Sequence, residues 1–505
     1  MDINRREFLR RAAAYSAGAA CTPWLLSLLG NTSCSAFKSQ TGLAENEIES
    51  LLAAALRRGG DFSEVFIEKV SSLSFTMSEG KFSQAIVGLA GGTGIRTVDS
   101  DRYGYAYAND FSYENTLTAA ETSAYIAAGN TSTNIAAAYT ETPPDIVKVI
   151  IPIDSVGESK KMELIQAAND AARSYSPHVK QVDITYYDEI QTRKISNSYG
   201  LRIENSIPLI MIVIEVLAEK NGIRQKGRNR LSAHQGFEFF DIFELNQAAV
   251  VAAREAVTML DARPAPAGSM PVVMNPGWGG VLIHEAVGHG LEGDMVYKGA
   301  SIYSGKLGQK VGSPLVNLVD DSSWPNARGT TGFDDEGTPG KRNVLIQDGI
   351  LTGYMHDRIS AKMMNVEPTG NGRRTSYRNY PMPRMTNTFL TAGDSDPQSI
   401  ISDTKKGLYI KTISGGSVDT ISGQFNFAVR EAYQIENGQL TYPVSGATLI
   451  GKGYDVLINI DAVGNNLELG VGYCGKGEPE NQWVPITSGI PTIRVAKGII
   501  VGGNA

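Results

Sequence analysis

Between residues 61 and 110 apolar and polar side chains alternate: Val65, Ile67 and Val70, then Ile95, Val98, Tyr103, Tyr105 and Tyr107. A period of two puts one set of side chains on one face of a strand, so this stretch commits the chain to a half-buried sheet. The polar break at 99–104 has hairpin chemistry. Around it the period changes. Residues 45–58 carry Ile48, Leu51, Leu52 and Leu56 at helical spacing, 113–128 read as a second helix, and 157–175 repeat the pattern with Met162, Ile165, Ala168 and Ala172. Strands are expected at 180–187, 190–196, 207–218 and 222–230. The fold class is therefore α+β, with an antiparallel sheet in the first half. A long Ala/Val helix over 243–260 ends at Arg263-Pro264-Ala265-Pro266. From Pro271 the chain is mostly short strands joined by Gly, Asn and Asp turns, which accounts for many of the 54 glycines. A boundary falls near 236–265. It is drawn at 240, giving an N-terminal α+β domain (38–240) and a β-rich catalytic domain (241–505).

Residues 1–37 read as an export signal. Arg5-Arg6 followed by Phe8-Leu9 resembles a twin-arginine signal, and a charge-free Ala/Ser-rich stretch follows. The expected location is the periplasm or cell envelope, with Cys34 a candidate lipid anchor. No other stretch offers ~20 consecutive apolar residues, so no transmembrane helix is expected in the mature chain. Removing the signal also removes Cys21 and Cys34, leaving Cys474 without a disulfide partner. With 46 basic and 53 acidic residues, net −7, the chain lacks the basic footprint of a general nucleic-acid binder.

Chemistry concentrates in residues 275–294. Asn275 is placed to cap a helix and Pro276 to open it, with His284, Glu285 and His289 on that helix and Gly290 at its end. His284-Glu285-x-x-x-His289 has one residue more than the zinc-binding His-Glu-x-x-His. Five residues turn a regular helix through about 140° from one histidine to the other, too far to share an ion. A π-bulge would restore the phase, and Gly288 makes distortion cheap there. Two imidazoles, a third ligand and an open position would suit Zn²⁺. Glu285, beside the ion without binding it, is then the general base of a metallohydrolase. The third ligand is open among His178, His234, His356, Cys474 and a carboxylate. Cys474 is favoured because glycines surround it, as in a loop presenting a thiolate.

Two further segments bear on a site. Residues 369–379, with Arg373 and Arg374, and residues 381–388, with Arg384 and Asn387, are candidates to grip a substrate carboxylate or backbone. The acidic run Asp334-Asp335-Glu336 reads as a turn, with a metal-site role as the alternative.

Together these motifs resemble the TldD/PmbA family of zinc peptidases, in its TldD branch. The resemblance rests on His-Glu-Ala-Val-Gly-His-Gly-Leu-Glu-Gly-Asp at 284–294, Asp-Asp-Glu-Gly-Thr-Pro-Gly at 334–340 and Thr-Gly-Asn-Gly-Arg-Arg at 369–374. Pro-Met-Pro-Arg-Met-Thr-Asn-Thr at 381–388, Gly-Ala-Thr-Leu-Ile-Gly at 446–451 and Cys-Gly-Lys at 474–476 extend it. It implies one zinc per chain held by His284, His289 and Cys474, with Glu285 catalytic. It implies cleavage of unfolded or flexible peptides bound as an added strand. It also implies a homodimer, or a heterodimer with a TldE/PmbA-like subunit. The alternative is a catalytically quiet subunit of such a complex that binds peptides or docks a partner. An intact Glu285 argues against that, since a scaffold has no need of it. The family's older label, modulator of DNA gyrase, is disfavoured by the acidic balance and the signal; no nucleic acid is expected.

Overall fold

A computed structural model describes residues 42–477 and 481–503. The expected export signal and Cys34 lie outside them. The first half is built on one sheet of long strands: β1 (Phe62–Ser78), β2 (Lys81–Asp99), β3 (Arg102–Ala108), β4 (Tyr139–Thr140), β5 (Val179–Asn197), β6 (Leu201–Lys220) and β7 (Ile223–Ala233). Their order is β3-β2-β1-β5-β6, with β4 and β7 both paired to β6. All pairs are antiparallel except β4 with β6. The β2–β3 hairpin turns at Ser100, whose φ of 63° is the left-handed conformation a tight turn demands.

Four helices cover this sheet: α1 (Glu45–Leu56), α2 (Tyr113–Ala127), α3 (Glu158–Ser174) and α4 (Leu245–Met259). α2 starts where Ser112 Oγ accepts from the Asn115 N–H and stops at Ala128, which turns left-handed. α1 and α2 bury Ile48, Leu51 and Ala120 with Val65, Ile67 and Ile95. α3 and α4 bury Ile165, Ala168, Ala249 and Ala253 with Ile184, Ile212 and Ile214. The first core therefore runs on through Leu260, beyond residue 240.

The sequence reading split 180–187 from 190–196. They form the single strand β5. The intervening Asp188 is buried, in contact with Lys161 Nζ of α3 at 2.5 Å and with the Tyr186 hydroxyl. A buried charge persists in a strand when it is paired this way.

The second half is β-rich. A six-stranded sheet runs in the order Ile350–Leu351, Arg342–Gln347, Leu318–Asp321, Asn387–Leu390, β9 (Gln482–Ile490) and β8 (Glu468–Lys476). A ten-stranded sheet includes Val272–Met274, Lys406–Asp419 and Gln424–Glu436. One core joins them, containing Leu390 and Ile486 from the first and Ile410 and Phe425 from the second. The short helix α5 (Val281–Ala286) packs against strands of both sheets, with Leu282 and Ile283 in that core.

The acidic run joins the two halves. Arg96 on β2 contacts Glu64 at 2.7 Å and Glu336 at 2.6 Å, and Arg374 also reaches Glu64. Arg193 on β5 meets Asp335 at 2.6 Å. Asp334 Oδ1 accepts from the Glu336 and Thr338 N–H groups, the bonding of the expected turn.

Candidate metal centre

His284 lies on α5 and His289 in a separate 3₁₀ turn, Gly288–Leu291. The expected single helix with a π-bulge is not what forms. α5 ends at Val287, whose φ of −130° and ψ of −53° leave the helical region, and the chain re-enters as a tighter turn. A break removes the 140° phase problem outright, because the second imidazole is no longer tied to the first helix axis. The helix also starts late. Gly277 has a φ of 79°, a 3₁₀ turn covers Trp278–Gly280, and Asn275 donates to the Pro276 carbonyl instead of capping. Gly288 is not in a left-handed conformation; a Cβ there would run into the Met385 thioether.

The third member arrives from the other end of the chain. Cys474 lies mid-strand on β8, opposite Val484 of β9, and not in the expected loop. Its Sγ is 3.1 Å from His284 Nε2 and 3.3 Å from His289 Nε2. All three side chains are buried, and their ligand atoms lie within 4.8 Å of one another. Tetrahedral zinc, with bonds of about 2.3 Å to sulfur and 2.0–2.1 Å to nitrogen, requires roughly 3.5 Å between N and S donors. The group therefore has the donor chemistry and nearly the spacing to hold such an ion. Among the described residues no other His, Cys, Asp or Glu trio converges this way. His234 instead bonds the Thr330 carbonyl through Nδ1, and burial pushes it down to about 3. His356 faces Ser360.

Glu285 points the same way: Oε2 is 3.8 Å from His289 Nε2, and its side chain keeps 20% of its surface open while both imidazoles are nearly closed off. Behind the trio is a charged layer that the sequence reading left unassigned. Glu292 is fully buried and accepts from His289 Nδ1 at 3.1 Å. Lys476 contacts Glu292 at 2.9 Å and Asp294 at 2.6 Å. Position alone was the available signal: Glu292 follows His289 by three residues, and Lys476 follows Cys474 by two, which returns it to the same face of a strand. Burial opposes the charged form of each member. His289, Arg384 and His284 nevertheless bring the Cys474 thiol well below its ordinary range. Cys474 and Glu292 likewise hold His289 well above its own. The thiolate is the form that binds a metal ion, and His289 gives up its Nε2 proton when it joins in ligation.

The four residues expected to grip substrate are committed elsewhere. Arg373 donates to the Met385 and Pro485 carbonyls. Arg374 serves Glu64 and the Asp335 carbonyl. Arg384 donates to the Gln482 and Cys474 carbonyls, and Asn387 to Asp321 O and Thr330 Oγ1. All four are buried. Each satisfies backbone groups inside the fold, so these side chains brace the backbone around the site.

Residues 63–127, 151–260 and 267–503 match, in turn, the models of the PmbA/TldA metallopeptidase domain 1, central domain and C-terminal domain. The metalloprotease TldD homolog of Haemophilus influenzae is 39% identical over 456 residues, 88% of this chain and 94% of that one. The zinc metalloprotease TldD homolog of Saccharolobus solfataricus is 29% identical over 447 residues, 88% of this chain and 97% of its own. Among solved structures, TldE from Thermococcus kodakarensis shares the fold with a TM-score of 0.71 at 19% identity, over 90% of this chain and 100% of that one.

Proposed function

This chain belongs to the PmbA/TldD metallopeptidase family, and on that footing we propose that it is an exported zinc metallopeptidase that hydrolyses flexible peptides. The observation that carries the reading is the convergence of His284, His289 and Cys474 beside a partly exposed Glu285. The two Nε2 atoms and the Cys474 thiolate would hold one zinc per chain, three protein ligands being the number typical of catalytic sites. Bound zinc supplies Lewis-acid polarisation of the scissile carbonyl. Glu285 takes a proton from the attacking water and delivers it to the leaving amine as the C–N bond breaks. Glu292 keeps His289 in one tautomer, and the buried surroundings of the trio exclude bulk water. The twin-arginine pattern at Arg5-Arg6 supports a periplasmic or envelope site of action. The family resemblance implies work as a dimer, with a second copy or a TldE-like subunit.

Metal analysis of the purified protein together with Glu285→Gln tests the reading. About one zinc per chain, kept in Glu285→Gln while peptide cleavage falls by roughly 10²–10⁴, is expected. Full activity in that variant, or zinc retained after His284→Ala, would sink it.

A further inference from the structure

The sheet of the first half has two outer edges, and they are built differently. One is β7, whose only strand neighbour among the described residues is β6. It carries Arg224, Lys226, Arg228 and Arg230 at every second position, so four basic residues share one face of that edge. Charge of this kind keeps a further strand from pairing there. The other edge is shared by β3 and β2. β3 pairs with β2 only over Thr93–Asp99, so the stretch 82–92 of β2 has β1 on one side and, among the described residues, no strand on the other. None of the usual guards protects it. No charged residue and no proline lies between Lys81 and Arg96, and the β1–β2 pairing runs without a bulge from Gln84 to Val98. Ile86 on one face is 47% exposed, and Val87 and Leu89 on the other are 71% and 56% exposed. A long, bare, apolar edge is a template for another strand.

Charge says which strand. Two copies that meet edge to edge about a two-fold axis run antiparallel, and the same patch serves both sides. A charged residue near the axis would then face its own copy, and like charges directly opposite each other are destabilising. A segment without charge along its whole length meets that demand, and it offers nothing to select a charged foreign strand. The two-fold that overlaps all of 82–92 with itself passes at Val87, the middle of the stretch. Building on the dimer reading above, we propose that the 82–92 edge of β2 is where two copies of this chain join, so that their two sheets continue as one.

Sedimentation of the purified protein over a concentration series tests this, beside Val87→Lys, Val87→Glu and an equimolar mixture of the two variants. The wild type should dimerise. Each variant alone should associate about tenfold more weakly or worse, because two like charges face each other at the axis. The mixture should recover to within about threefold of the wild type, as lysine meets glutamate. Melting temperature and zinc content should stay at wild-type values in both variants, since the side chain at 87 is exposed. A dimer that ignores both substitutions overturns the edge and leaves the dimer reading standing. A wild type that stays monomeric overturns the self-pairing and leaves that reading to a TldE-like subunit. Weakened association that the mixture does not restore overturns the two-fold pairing. The peptidase reading is decided apart from all of these, by zinc content and cleavage.

Discussion

The Nδ1 atom of His289 lies 3.1 Å from Oε2 of Glu292, and this contact turns Nε2 toward the Cys474 thiolate. Burial would raise the Glu292 carboxyl, but Lys476 and His289 hold it at about 2, so the imidazole is oriented by a full negative charge. Such outer partners set tautomer and ligand basicity. Glu292→Gln keeps the shape and loses the charge. Zinc affinity should fall by roughly 10–100-fold in a chelator competition. An unchanged affinity would show that Glu292 is packing and not support.

Gly280 precedes α5 and lies flat on β9. A Cβ there would stand 2.6 Å from the Gly489 nitrogen, and backbone cannot step aside. Gly280→Ala should cost about 1–3 kcal/mol in denaturant unfolding and weaken zinc binding, because the helix carrying His284 must lift away from the sheet. A stable variant with wild-type affinity would mean that the helix has room to move.

Arg96 is fully buried between Glu64 and Glu336. Arg96→Met leaves Glu336 without its cation and Glu64 with Arg374 alone, in the contact between the two halves. Removing one partner from such a group costs about 3–5 kcal/mol. A loss well under 1 kcal/mol in urea would mean that other contacts hold the halves together.

Glu68 on β1 accepts from Gln191 of the neighbouring β5 at 2.6 Å and, across the same contact, from the Tyr377 N–H at 2.9 Å. Burial outweighs these bonds and pushes its carboxyl up to about 7 from the ordinary 4.5. The neutral acid is thus favoured in the fold. Its contribution to stability is complete below about 4.5 and is lost as pH rises through about 7. Glu68→Gln cannot ionise, so wild type should lose ground to it in melting temperature over that range. A difference between the two that stays constant with pH would refute the assignment.

Much of this was readable in the residues themselves. The alternation around Val65 and Ile67 and the helical spacing of Ile165 and Ala168 located the sheet and its helices, because burial of one face imposes a period on the local sequence. His284, Glu285 and His289 stood out because few other patterns explain that combination. The readings that failed concerned how segments meet. A single helix with a π-bulge, a capping Asn275 and a loop around Cys474 were expected, whereas the helix breaks at Val287, Asn275 bonds the Pro276 carbonyl and Cys474 sits mid-strand.

The sequence by itself therefore determined the α+β elements and the pair of histidines with its glutamate, since both are local: a period along one segment, or residues within six positions. Only the tertiary structure decided how the site is assembled. Cys474 is 190 residues from His284 and meets it because β8 pairs with β9 at one register, and a slip of one residue would turn the thiol to the other face. The break at Val287 was decided in the same way, by a shared core that fixes where each imidazole must lie and leaves the backbone to comply.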